Sequence, residues 1–97
     1  MKLIALYRQP ADPQSFDQAY FQTHLPLIAK VPGLQRTVVS RLTRTYSGEG
    51  FYLMAEMLFA DKEALRNAMR SPEMAAAGEN LDVFAAGSLT LMSAEEV

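Results

Sequence analysis

The sequence contains no cysteine and a single histidine among its 97 residues. Without thiols there is no disulfide, no thiolate nucleophile and no cysteine-bound zinc. One histidine cannot make up the missing zinc ligands. Excess charge is lacking too. Charged residues are 21% of the chain and the formal net charge is −2, with a pI near 5.3. A nucleic-acid footprint needs a basic patch, which this balance does not supply. No apolar run approaches the ~18 residues of a membrane span. The opening MKLIALYRQP is short and interrupted by Arg8 and Pro10, unlike a signal peptide. Gly48 and Gly50 are followed by Leu53 where a third glycine would stand. No helix follows, so the dinucleotide fingerprint is missing. There is no phosphate-binding loop and no serine in a nucleophile elbow. These absences predict no cofactor, no metal, no nucleic-acid partner, no membrane association and a cytoplasmic location.

What is present reads as one globular domain over 1–97, with 49% apolar residues. A chain this short buries roughly 60–65% of its surface, so a partner subunit would add to its stability. Residues 2–8, KLIALYR, are apolar on both alternations and predict a strand buried on both faces. Two prolines follow. Asp12 or Ser15 can cap a helix, with Pro13 in its first turn and Ser15–Gln18 as a capping box. Over 14–30, Phe16, Ala19, Tyr20, Thr23, His24, Leu27 and Ile28 recur at spacings of three and four, one face of a helix. Pro32-Gly33 ends it.

Residues 35–45 alternate imperfectly and carry Arg36, Arg41 and Arg44, as an edge strand can. YSGEG at 46–50 is a hairpin connection. Residues 51–59, FYLMAEMLF, are nearly all apolar and predict a central strand. Asp61 caps a second helix with a buried stripe of Ala64, Leu65, Ala68 and Met69. Ser71-Pro72-Glu73 restarts a helix, Gly78 is a candidate terminator, and ENLDVF adds a further turn. Residues 87–93 form a last strand, and the tail is solvated.

The order is β-α-β-β-α-β, a ferredoxin-like α+β fold. Four antiparallel strands carry helices on one face, with strands one and three central. On strand three, Phe51, Leu53, Ala55, Met57 and Phe59 face the helices, while Tyr52, Met54, Glu56 and Leu58 face away. The second set is too apolar to be left in water. A second copy of the chain is expected to cover it, giving a dimeric α/β barrel with a lined interior.

Pro26 has no backbone N–H and disfavours helical geometry at Leu25. The chain should therefore kink or loosen beside His24. The pattern Tyr20-x-x-x-His24-x-Pro26-Leu27 is followed by Val31-Pro32-Gly33-Leu34, Phe59-x-Asp61, Ala64-Leu65, Ser71-Pro72-Glu73 and Asp82-x-Phe84. This ordered set resembles the EthD family and spans most of the chain. The resemblance implies ferredoxin-like chains paired as dimeric barrels. It also implies an association with the oxidative breakdown of small organic compounds.

His24 has two readings. As a catalytic group it would be a general acid or base in a semi-apolar pocket. Otherwise it is a buried histidine satisfied by a backbone carbonyl, such as the one Pro26 leaves free. Tyr7, Tyr20 and Tyr52 are ligand-binding candidates or core. Glu56 is a base or orienting carboxylate inside the barrel, or it is ion-paired with Arg41, Arg44 or an arginine of the second copy. Leu27 and Phe84 complete the candidate ligand contacts, and Asp82 reads as a cap or turn residue. The expected pocket lies between helix one and the uncovered sheet face. Its ligand would be a small hydrophobic organic molecule. If the chain is an enzyme, it is a cofactor-free isomerase, lyase, cyclase or oxidoreductase. The alternatives are a non-catalytic ligand carrier for an oxidising system, or a dimeric interaction module.

Overall fold

The computed structural model describes residues 1–97. Its strands are β1 (Lys2–Tyr7), β2 (Arg36–Arg41), β3 (Leu53–Leu58) and β4 (Leu89–Ala94). They form one antiparallel sheet in the order β2-β3-β1-β4. The two most apolar strands are central and the arginine-bearing β2 is an edge, as their composition requires. The molecule measures 35 × 31 × 19 Å. Sheet and helix layers pack roughly 10 Å apart, so the 19 Å axis holds one sheet and one helical layer. The other sheet face is bare.

Helix one is not uniform. It begins as α1 (Pro13–Ala19), widens into a π-helical turn over Tyr20–His24, and closes as α2 (Leu25–Ile28). Asp12 is its cap, accepting from the Ser15 amide at 3.2 Å; Ser15 is not. In the π turn the Leu25 N–H bonds back to the Tyr20 carbonyl. This is the expected loosening, realised as a widened turn rather than a break. Pro26 then falls in the first turn of α2, where its missing N–H costs least. The i→i+5 bonding keeps residues four apart in line, so the buried stripe is Phe16, Tyr20, His24 and Ile28. Thr23, expected on that stripe, is exposed, and Leu27 is only half-buried.

The second helical region is α3 (Lys62–Met69) and α4 (Pro72–Phe84), capped by Asp61 and Ser71. Gly78 does not end the helix: α4 runs through it to Phe84. Helical glycine costs only about 1 kcal/mol against alanine, and packing against helix one overrides it. Met69, expected to be buried, is 44% exposed at the end of α3. Gly33 turns the chain after helix one at φ 77°, a left-handed conformation that a side chain would strain.

Leu3, Ala5, Tyr7, Leu53, Ala55 and Met57 form the helix-facing half of the core. On Leu53→Ala, urea denaturation should show a loss of roughly 2–5 kcal/mol, from transfer and cavity costs together. Val83 is 82% exposed, and Val83→Ala should stay within about 0.5 kcal/mol.

Candidate functional site

Strand alternation and helix periodicity bring four of the expected groups together, His24, Tyr20, Tyr7 and Phe84, and separate the rest. His24 is 2% exposed and points from the π turn toward the sheet. Its ring lies 5.4 Å from Tyr20 and 6.0 Å from Phe84, centroid to centroid. Tyr20 stacks on Phe16 at 5.8 Å and meets Tyr7 edge-on at 5.3 Å. The aromatic group thus joins helix one to β1.

His24 Nδ1 lies 3.2 Å from Oδ1 of Asn80 on α4. An amide oxygen only accepts, so Nδ1 donates, and the lone pair of the neutral ring sits on Nε2. The partner is not the expected backbone carbonyl. The continuation of α4 past Gly78 carries Asn80 across helix one to within reach. Nothing in the sequence near His24 signals this contact, because it comes from 56 residues away. Burial pushes the His24 pKa below its ordinary value near 6.5, and the Asn80 hydrogen bond offsets part of that shift.

Beside His24 is a cavity of about 290 Å³ between the helix-covered sheet face and the helices. Leu3, Ala5, Tyr7, Met57 and Leu89 form its sheet side. His24, Ile28, Met74, Ala77 and Leu81 form its helix side. Exposed Gly78, Asp82 and Gly87 mark one rim, and half-exposed Met69 and Leu91 mark another. The volume is near the lower end of small-molecule pockets, roughly 300–1,000 Å³. The cavity is therefore inside the two-layer sandwich, between the helices and the covered sheet face, whereas it was expected between helix one and the uncovered face. His24 and Tyr7 both point inward, so no cavity on the outer face can include them.

Tyr7 is fully buried on the cavity wall. Burial and the neighbouring Tyr20 raise its pKa strongly, and burial pushes Tyr20 up to about 12. Both therefore remain protonated donors at neutral pH. Tyr20 and Phe84 stand behind the cavity, packed on His24 and Phe16. Leu27 faces a separate shallow depression between α2 and α4 with Pro72 and Glu73.

Tyr52 and Glu56 lie elsewhere. Tyr52 precedes β3, where alternation no longer holds, and its ring turns to the helix side, edge-on to Phe16 at 5.7 Å. Its hydroxyl donates to Asp17 at 2.8 Å, and Arg41 donates to both at 3.0 Å. Glu56 is on the bare face and pairs with Lys2 at 3.4 Å, not with Arg41 or Arg44. The register explains why: Arg41 is opposite Leu53 and so faces the helices, while Glu56 is opposite Val38 on the other side. Asp82 is within helix α4 rather than a cap, at the cavity rim. Met69, Met74 and Leu81, read from sequence as packing or not singled out, line the cavity. Their helical spacing carried no sign of it. No group of three or more His, Cys, Asp or Glu side chains is placed to hold a metal ion.

The EthD domain model matches residues 8–88. The crystal structure of an EthD (ethyl tert-butyl ether) family protein from Bacillus halodurans C-125 is 50% identical, with a TM-score of 0.91 over 99% of this chain and 97% of that one. A protein from Thermobifida fusca YX described as dimeric and ferredoxin-like is 16% identical, with a TM-score of 0.65 over 96% of this chain and 89% of that one. SnoaB, a cofactor-independent oxygenase from Streptomyces nogalater, is 18% identical, with a TM-score of 0.63 over 99% and 93%. The last two share the fold.

The sign of the His24 shift sets a pH dependence. The unfolded chain binds a proton at this ring near pH 6.5, and the folded chain only at lower pH. Between those values the unfolded state holds more protons, so stability falls as pH drops through 6.5. NMR of the one imidazole should show a pKa below 6.5. Asn80→Leu should lower it further, and His24→Gln should flatten the stability slope in that window.

Proposed function

The chain belongs to the EthD family, and from that premise we propose that it acts on a small, largely apolar organic molecule held in the cavity beside His24. The observation that carries this reading is the state of the imidazole. Burial favours its neutral form, Asn80 anchors Nδ1, no hydrogen bond engages Nε2, and the ring lines a largely apolar space. Such a nitrogen is a general base at neutral pH. Proton removal from a bound carbon or oxygen acid would give an imidazolium beside the new anion. Against the apolar inner wall of the cavity the two charges attract each other more than they would in bulk water. Return of the proton to another atom of the ligand completes an isomerisation or cyclisation without a cofactor. Tyr7 supplies an O–H on the same wall. With molecular oxygen as the oxidant, the anion left by the same deprotonation would pass its electrons to O2 and be oxidised without a cofactor, and a cofactor-independent oxygenase shares the fold.

A carrier role for an oxidising partner is the second reading. It is favoured by the separation of Glu56 from the cavity, which leaves His24 with only the Tyr7 phenol on the wall and Asp82 on the exposed rim as further titratable groups. Native mass spectrometry of the protein purified from cells would recover the bound molecule. That molecule is then incubated with the protein in deuterated water. Uptake of deuterium at rates about 10²–10⁴ above those with His24→Gln supports catalysis. Equal, background-level uptake with affinity retained would establish the carrier and sink the enzyme.

The bare sheet face supports a homodimer. Ile4, Leu6, Val38, Met54 and Leu58 share it around the Lys2–Glu56 pair. An apolar face of this kind marks an interface, and a dimeric protein shares the fold. Sedimentation should find a dimer, and Ile4→Arg should shift it to monomer. A monomeric wild type would overturn this assembly.

A further inference from the structure

The His24 cavity shares a wall with a second depression on the other side of Leu3, Met69 and Leu91. This outer groove, about 530 Å³, lies between α3 and the β4 edge. Leu3, Met69 and Leu91 line both spaces and are therefore the partition between them. Two of the three are poorly anchored: Met69 is 44% and Leu91 45% exposed. Methionine is the most adaptable apolar side chain, so a partition of this kind can yield to a ligand.

The two sides differ in charge. The cavity's other rim carries Asp82, and the outer groove carries Lys62, Arg66 and Arg70. Lys62 pairs with Glu95 at 3.7 Å and Arg66 with Glu63 at 2.9 Å, both exposed pairs. Exposed pairs of this kind are weak and exchange readily. Arg70 pairs with no acidic side chain and is the surplus cation.

We infer that the ligand of the His24 cavity is a small amphipathic carboxylate, whose apolar body lies against His24 and whose carboxylate passes the Met69–Leu91 partition to Arg70 and Arg66. This rests on the reading of the cavity as a ligand site. Asp82 sets the orientation by repelling the anionic end from the opposite rim. Arginine suits the role because its planar donors match a carboxylate.

Octanoate and 1-octanol, which differ in the head group, are titrated into the wild type and into Arg70→Gln and Arg66→Gln/Arg70→Gln variants. The ring protons of the single histidine report entry to the cavity. Both molecules should shift the His24 signals, with octanoate binding tighter. The advantage should fall about fivefold in Arg70→Gln, further in the double variant, and in high salt. Equal affinity of the two molecules, unmoved by the variants, overturns the carboxylate and leaves the cavity reading standing. Octanoate binding without a His24 shift places it in the outer groove alone and overturns the inference. No His24 shift with either molecule overturns the inference and the cavity reading together. Arg66 and Arg70 are exposed, and unchanged thermal melting of the variants shows that charge, not folding, is being read.

Discussion

A strand can send each side chain to only one of two faces, and the register of this sheet apportions the chemically able groups on its strands, Tyr7 and Glu56 among them, accordingly. Leu3, Ala5 and Tyr7 of β1 and Leu53, Ala55 and Met57 of β3 go under the helices. Lys2, Ile4 and Leu6 go to the bare face with Met54, Glu56 and Leu58. A slip of one residue would place the Glu56 carboxylate among aromatic rings and Tyr7 in water. The cavity beside His24, the packing of the tyrosines and the apolar outer face all depend on that single alternation.

Within this frame the π turn at Tyr20–His24 sets both the packing of helix one and the surroundings of the imidazole. Its widened pitch holds Phe16, Tyr20, His24 and Ile28 on one line, so the imidazole is part of the aromatic layer rather than beside it. Burial keeps the ring neutral, and Asn80 fixes which nitrogen carries the proton. A residue that looks like ordinary core from its burial therefore also has its proton placed by a named partner. The partner comes from α4, so helix one and α4 must be docked before His24 has a defined state.

Much of the fold was legible because it follows from local patterns. Asp61 and Ser71 cap their helices, Pro32-Gly33 stops helix one, and the two most apolar strands are central. Pro26 announced the loosened turn next to His24. The site was less legible, since Tyr52 obeyed alternation on paper but stands just before β3, where its hydroxyl finds Asp17. Glu56 looked like a partner for an arginine of β2, and the hairpin register sent Arg41 to the other face. Gly78 looked like a stop, and helix packing carried α4 through it.

The sequence by itself determined the order of elements, the central and edge strands, the burial of His24 and the existence of a second apolar sheet face. These depend on periodicity, caps and backbone chemistry, which act over a few residues. Only the tertiary structure decided that Asn80 meets His24, that the cavity lies under the helices, and that Lys2 answers Glu56. Each of those contacts joins residues more than fifty positions apart. Such pairings are set by register and by the docking of helix on helix, which no local pattern encodes.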